Sequence, residues 1–434
     1  MEMVQIYPLP NLRPALQRRL YQAQQEAARV WTLCRDLHLA ARQQATRWPN
    51  REDLQEATKG GFALHSQTIQ LICHQFLANV ETTRELRKTN RKIRYPYKDK
   101  RFYPLYWPAQ AVSVERRQTA QTAHVERSRV VLPMGRGRPS LVFRLHLPER
   151  VGSVKLVWMD GYELHISVLK TPAQTAPGPV QATVDLGEIH QAAVTTNTGA
   201  ALVISGRGIR SLKRRHHMAL GQLAKKRHRC QKGSRRWCKL LRARRQMSRR
   251  TRRQIRALRH QGTRKVITFC QQHQVGSLFI GNPDGVRCRN RGRHHNQRLA
   301  GWEYGRDIAY LSYKAKAASI MSFTGSERGT SSQCPICGGK QKVKGRVWRC
   351  RNPRCAFVGH RDVVGSANMH PLAFGTKIEF PAQITYQQAG PVRIRARDTR
   401  PRPVPWPPAR CRRPDTGHQE DVQRPLALVL SGSA

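Results

Sequence analysis

The sequence predicts a mixed chain of several domains: a β domain interrupted by helices, then an α/β domain carrying an inserted four-cysteine ribbon. Three observations carry this. Apolar residues recur at three- and four-residue steps within 11–90, strict alternation takes over within 94–169, and strand, helix and strand follow one another from Val275 to the paired cysteines. At 434 residues there is room for two or three domains.

Met3 to Tyr7 alternates as a short strand. Leu16, Leu20, Ala23, Ala27, Val30, Trp31, Cys34 and Leu37 then share one helical face, and Ile69, Ile72, Cys73, Phe76 and Val80 share another, which predicts two amphipathic helices packed together. In SVKLVWMDGYELHISVLK, Asp160-Gly161 separates two period-two runs and predicts a tight hairpin. These signals assign 1–10 and 91–170 to a β domain, with 11–90 as its helical insertion. The lead-in RKIRYPYKDKRFYPLYW interleaves basic and aromatic side chains. That makes Arg94, Tyr95, Tyr97, Lys98 and Arg101 candidates for gripping phosphates and stacking on bases, with strand packing as the alternative.

TPAQTAPGP, residues 171–179, reads as a linker. Beyond it, VQATVDLGEIHQAAVTTNTGAALVISG predicts a three-strand meander turning at Asn197 to Gly199, with Asp185 on the first strand. Residues 208–273 follow as basic helices. From Glu188 to Asp284 no acidic residue intervenes, so self-repulsion calls for a bound polyanion, and Arg214, Arg215, Lys225, Lys226, Arg252, Arg253 and Arg256 are its expected ligands. VGSLFIG and SIMSFTG predict parallel strands flanking a YLSYKAKAA helix. Residues 373–434, rich in Pro and Arg, predict a disordered tail.

The spacing Cys334-x2-Cys337-x12-Cys350-x4-Cys355 suits Zn²⁺. Each pair sits on a turn that aims two thiolates at one tetrahedral centre, and four sulfur ligands leave no open position, so this zinc is structural. The ribbon is assigned to 330–359. Lys and Arg number 79 against 26 Asp and Glu, a formal charge of +53, which selects a polyanionic partner. No apolar run is long enough to span a bilayer, and MEMVQIYPLP lacks the apolar core of a secretory signal. With 11 cysteines, an odd count, a reducing compartment is expected, namely the cytoplasm.

Asp185 closes a strand in VDLG, and Asp362 opens HRDVVGSAN just beyond the ribbon. Alone, the first reads as a strand end and the second as a helix cap. Their order, with meander, basic helices, parallel strands and ribbon between them, is far more specific. Over about residues 180–370 it resembles the RuvC-type nuclease domain of TnpB proteins and compact type V CRISPR effectors, on VDLG, YKAKA, TSSQCPICG with the second cysteine pair, and HRDVVGSAN. The resemblance extends more loosely to the N-terminal β domain, which it implies is barrel-like and wedge-like. It also implies an RNase H-like fold over 180–329 and 360–372, a guide RNA and target DNA as partners, and action at a prokaryotic nucleoid. A homodimer is left open. Cleavage would use Mg²⁺, in two ions held by carboxylates from different strands, with Asp185 bridging both and Asp362 holding one.

The family's third acid, a Glu, corresponds to Gly281. Glu327 ends the neighbouring strand at the same sheet edge, about 4.8 Å away if the two are parallel, and is the expected replacement; Asp284 and Glu303 are the alternatives. Arg361 offers a fork to the scissile phosphate. His360 reads as another phosphate contact or a spare zinc ligand. Three functions stay in play: an RNA-guided DNA endonuclease, an RNA-guided DNA-binding protein acting by occupancy, and an RNA-binding structural protein.

Overall fold

The computed structural model describes residues 2–116, 128–147, 150–169, 178–286, 290, 292–343 and 345–390. The chain opens with β1 (Glu2–Pro8) and then three helices, α1 (Pro14–Gln43), α2 (Arg51–Thr58) and α3 (Ser66–Thr89). Two helices were expected from periodicity. The third, α2, is too short to show a period but carries a reciprocal cap: the Asp53 amide donates to Asn50 Oδ1 at 3.0 Å, and the Asn50 amide donates to Asp53 Oδ2 at 2.7 Å.

Six strands follow: β2 (Leu105–Trp107), β3 (Ser113–Glu115), β4 (Ser128–Leu132), β5 (Leu141–Leu145), β6 (Val151–Trp158) and β7 (Tyr162–Leu169). They form a four-stranded sheet in the order β1-β7-β6-β2 and a three-stranded sheet β3-β4-β5. The β6–β7 hairpin turns at Asp160 and Gly161, both at positive φ, as the Asp-Gly pair predicts. Trp31, Phe76, Trp107, Leu132, Leu156 and Leu164 are buried in one core. The helices and both sheets therefore share an interior.

A third sheet begins with the predicted meander, β8 (Val180–Asp185), β9 (His190–Thr196) and β10 (Ala201–Ser205). Two long helices follow, α4 (Arg207–His228) and α5 (Arg235–Gln272), then β11 (Val275–Asn282), α6 (Arg293–Ala300), α7 (Tyr304–Ala317) and β12 (Met321–Ser326). Strand β11 runs parallel to both β8 and β12, so the C-terminal ends of all three lie along one edge. The ribbon hairpin β13 (Val347–Arg349) and β14 (Val358–His360) leads into α8 (Arg361–Ala367), α9 (His370–Phe374) and β15 (Ile384–Gln388). The sheet order is β12-β11-β8-β9-β10-β15.

Two expectations are corrected. A structureless tail was expected from residue 373, but β15 pairs in parallel with β10 over five residues, satisfying main-chain groups that would otherwise form an open edge. The rest of that tail, 391–434, and residues 171–177 of the expected linker lie outside the described residues. The basic helices also have acidic partners, supplied by distant segments. Arg252 pairs with Asp160 at 3.1 Å, while Arg253 and Arg256 pair with the buried Glu163 at 3.5 and 3.6 Å. Further along α5, the buried Arg259 meets Asp307 and Glu303. Arg252, Arg253 and Arg256, three of the seven cations expected to grip a polyanion, thus fasten α5 to the β6–β7 hairpin. No helix among the described residues is long and apolar enough to cross a membrane.

Glu163→Ala leaves the Arg253 and Arg256 charges without their carboxylate, and is expected to lower the unfolding free energy by roughly 3 kcal/mol. Denaturant titration checks this. The triple change of Arg252, Arg253 and Arg256 to Gln should also destabilise the fold while leaving the salt dependence of nucleic-acid binding nearly unchanged.

Candidate metal and nucleic-acid site

The site is built where β8, β11 and β12 end together. Register pairs Val184 with Ile280, and Gly281 with Gly325, so Asp185 and Gly281 are adjacent at the edge. Glu327 follows β12 by one residue and reaches back. A Cβ built on Gly281 would sit 2.5 Å from Glu327 Oε2 and 2.8 Å from the Met369 methyl. The Glu327 carboxylate therefore fills the space a side chain at 281 would claim. Its backbone is fixed by a turn in which the Thr330 hydroxyl donates to the Glu327 carbonyl at 2.9 Å, with Gly329 at φ 90°.

Helix α8 brings the third acid. Ser366 Oγ donates to the Thr183 carbonyl at 2.9 Å, and Thr183 Oγ1 donates to the Ser366 carbonyl at 2.7 Å. Thr195 Oγ1 lies 2.9 Å from Ser366 Oγ. This buried set clamps α8 onto β8 and β9. Gly365 allows the approach, because a Cβ there would run into Asp185 Oδ2. Asn368 Nδ2 donates to the Thr330 and Gln333 carbonyls, both at 2.7 Å, tying the end of α8 to the segment between Glu327 and the ribbon. Asp362 in the first turn of α8 is thereby set beside Asp185.

The electrostatics are those of crowded acids. Burial, with Glu327 and then Asp362 nearby, pushes the Asp185 carboxyl well above its ordinary range. Burial pushes Glu327 up to about 7, and its enclosed Oε2 has no hydrogen-bond partner among the described residues. Burial would also raise Asp362, but the hydrogen bond to His190 Nδ1 at 2.6 Å and the Arg346 guanidinium at 2.8 and 2.9 Å hold it below its usual value. Crowded carboxylates with an orphaned oxygen are a donor set suited to a hard divalent cation. Among the described residues, two sets have ligand atoms within 4.8 Å of one another: the four cysteines, and His190, His360 and Asp362.

The cysteine Sγ atoms lie 3.7 Å apart for Cys334 and Cys355 and 3.6 Å apart for Cys337 and Cys350. A tetrahedron of Zn–S bonds near 2.3 Å has edges of about 3.8 Å, so these side chains fit a zinc ribbon. Gly338, at φ 74°, makes the first knuckle, and its amide donates to the Cys334 carbonyl at 3.0 Å. The buried Trp348 packs beneath the cluster with Val364 of α8.

The alternative acids are engaged elsewhere or remote. Glu303 is paired with Lys213, Arg259 and Arg306, and Asp284 is exposed in the turn after β11. Of the expected nucleic-acid residues, Arg94, Lys98, Arg101, Arg214, Arg215, Lys225 and Lys226 are exposed. Arg361 is half-buried between His360 and Asp362. Tyr95 and Tyr97 stack on each other at 5.6 Å, the Tyr97 hydroxyl lies 2.7 Å from His38 Nδ1, and Arg42 and Arg87 cover Tyr95. Those rings pack against the helices. Sequence reasoning did not find His190 or Arg346, because each reaches Asp362 from far along the chain. Ser366 and Asn368 lay within HRDVVGSAN, and their small polar side chains among apolar residues were the available signal.

Residues 165–287 match the OrfB_IS605 model, described as a probable transposase, and residues 304–369 match the Cas12f1-like TNB domain model. Two segments of the chain are thus similar to a transposase model and to a Cas12f1-like domain model. The solved structure of a Cas12f1–sgRNA–target DNA complex is similar at 14% identity, covering 82% of this chain and 83% of that one, with a TM-score of 0.58, and so shares the fold. The mini-RNA-guided endonuclease CRISPR-Cas_phi3 is similar at 10% identity over 88% of this chain and 94% of that one, with a TM-score of 0.49. No curated protein matches the chain.

Cys350→Ser is expected to lose zinc and lower thermal stability, as metal analysis and a melting scan would show. A pH effect also follows. In the folded, chelator-treated protein Glu327 keeps its proton up to about pH 7, against an ordinary value of 4.5, so between these values the folded state binds more protons and stability falls as pH rises. Glu327→Gln should therefore stabilise metal-free protein by on the order of 2 kcal/mol at about pH 8 and have no such effect near pH 4. Unfolding curves at the two pH values check it.

Proposed function

We propose that the chain is an RNA-guided DNA endonuclease whose cutting site is Asp185, Glu327 and Asp362. The observation that carries this is the Glu327 carboxylate standing in the side-chain space of Gly281, beside Asp185. It supports a complete set of acids in a chain whose expected third position is bare. Mg²⁺, when bound, would supply an activated water and charge neutralisation on the departing oxygen. Asp185, between the other two acids, is suited to bridging, with Glu327 and Asp362 on either side. Arg361, next to Asp362 in sequence, would steady the phosphate being cut.

Guide and target would be held through their phosphates by the exposed α4 cations Arg214, Arg215, Lys225 and Lys226, and by Arg94, Lys98 and Arg101 of the N-terminal region. Base pairing would choose the sequence, and the protein would read a short flanking motif. In this reading the nuclease domain comprises 180–329 and 360–372 with β15 added, and the ribbon at 330–359 is an insertion that holds Asp362 in place. The alternative, a guided DNA-binding protein that acts by occupancy, rests on Gly281 as a lost acid. With Glu327 in that space its motive is weakened.

Asp185→Ala, Glu327→Ala and Asp362→Ala should each lower Mg²⁺-dependent cleavage of guide-matched DNA by about a thousandfold or more, because the metal-holding acids act as a unit. Target binding should persist. Gly281→Glu should cut poorly on its own, since two carboxylates would compete for one space, and adding Glu327→Ala should restore cutting. Wild-type protein that binds its target and never cuts would favour the occupancy reading. Cutting that is indifferent to Glu327 would remove only its assigned role.

A further inference from the structure

We propose that His190, His360 and Asp362 form a nitrogen-rich site for a first-row transition ion, of the Fe²⁺, Co²⁺ or Zn²⁺ class, beside the Asp185–Glu327 carboxylates. The assignment deepens the nuclease reading and rests on it only for what the ion would do; the ligand set stands on its own geometry.

Three elements converge to make it. His190 opens β9, His360 closes β14 at the exit of the ribbon, and Asp362 lies in the first turn of α8. One ligand atom from each falls within 4.8 Å of the others. His190 Nδ1 is 2.6 Å from Asp362 Oδ2, and the two imidazole rings lie 5.0 Å apart. His360 Nδ1 is enclosed and has no hydrogen-bond partner among the described residues, a cost that a bonded metal would remove. His190 is buried, and the other two are half-buried, so the ligands are held by packing.

Ligand chemistry sets the choice of ion. Two imidazole nitrogens with one carboxylate suit borderline transition ions, whereas Mg²⁺ prefers oxygen ligands throughout. Positive charge already belongs at this point, since the Arg346 guanidinium sits on both oxygens of Asp362. That side chain is 39% exposed and has solvent to swing into when an ion takes its place. The shared ligand Asp362 then makes the two halves of the edge chemically unequal: oxygen-lined at Asp185 and Glu327, nitrogen-lined at His190 and His360.

The test uses full-length protein with its ribbon first filled with zinc, then titrated with Co²⁺ in the presence of excess Mg²⁺. Co²⁺ bound to histidine gives strongly shifted imidazole N–H proton resonances. Selective ¹⁵N labelling of histidine identifies these in the wild-type protein, with no reliance on variants. Two shifted imidazoles that survive Mg²⁺ are expected. His190→Ala and His360→Ala should each remove one and weaken Co²⁺ binding by roughly tenfold or more. Asp185→Ala and Glu327→Ala should keep both resonances while losing cleavage, which separates this proposal from the nuclease reading. Co²⁺ bound without shifted imidazole signals, shifted signals unchanged in both histidine variants, or displacement by comparable Mg²⁺ would each overturn the site and leave His190 as a hydrogen-bond partner of Asp362.

Discussion

The crowding of carboxylates at one sheet edge is the constraint on which the rest of this structure turns. Asp185, Glu327 and Asp362 come from a strand end, a turn and a helix start, and bringing like charges together in a partly buried place opposes folding unless something compensates. Two absences of side chain make the approach possible. Gly281 leaves room for Glu327, and Gly365 lets α8 lie against Asp185. The clamp of Thr183, Thr195 and Ser366 then holds the helix in a position that the acids themselves disfavour. Crowded carboxylates of this kind are a donor set suited to hard cations.

Compensation is distributed unequally across the edge. Asp362 has Arg346 and His190 to hold it as an anion, whereas the enclosed oxygen of Glu327 has no hydrogen-bond partner among the described residues. The ribbon takes part in this arrangement. Its hairpin delivers Arg346 to Asp362, and Trp348 packs with Val364 of the same helix. Losing the four-cysteine cluster would loosen the hairpin and, with it, the position of the acid one turn beyond it.

The same economy of charge governs the long basic helices. Repulsion along α5 is relieved by Asp160 and Glu163 from the N-terminal hairpin and by Glu303 and Asp307 from the region around α7. Exposed cations outside these pairs lie on α4, such as Arg214, Arg215, Lys225 and Lys226, and on the first half of α5, such as Arg235, Arg242 and Arg245. A residue type alone does not separate these roles; its neighbours in space do.

Much of the architecture was legible because it rests on local rules. Alternation and the Asp-Gly pair specify the β6–β7 hairpin, helical periodicity specifies the core faces of α1 and α3, and cysteine spacing specifies the ribbon, since each depends on residues a few positions apart. Strand, helix, strand order also indicated that β11 and β12 are parallel, and so placed Glu327 at the same edge as Gly281, whose missing acid it was expected to replace. Tertiary structure alone decided that His190 and Arg346 meet at Asp362, that Arg252, Arg253 and Arg256 bind acids, and that β15 closes the sheet beside β10. Each of these joins groups far apart in the chain, and long-range pairing is set by packing and charge neutralisation in the folded state, which no local pattern encodes.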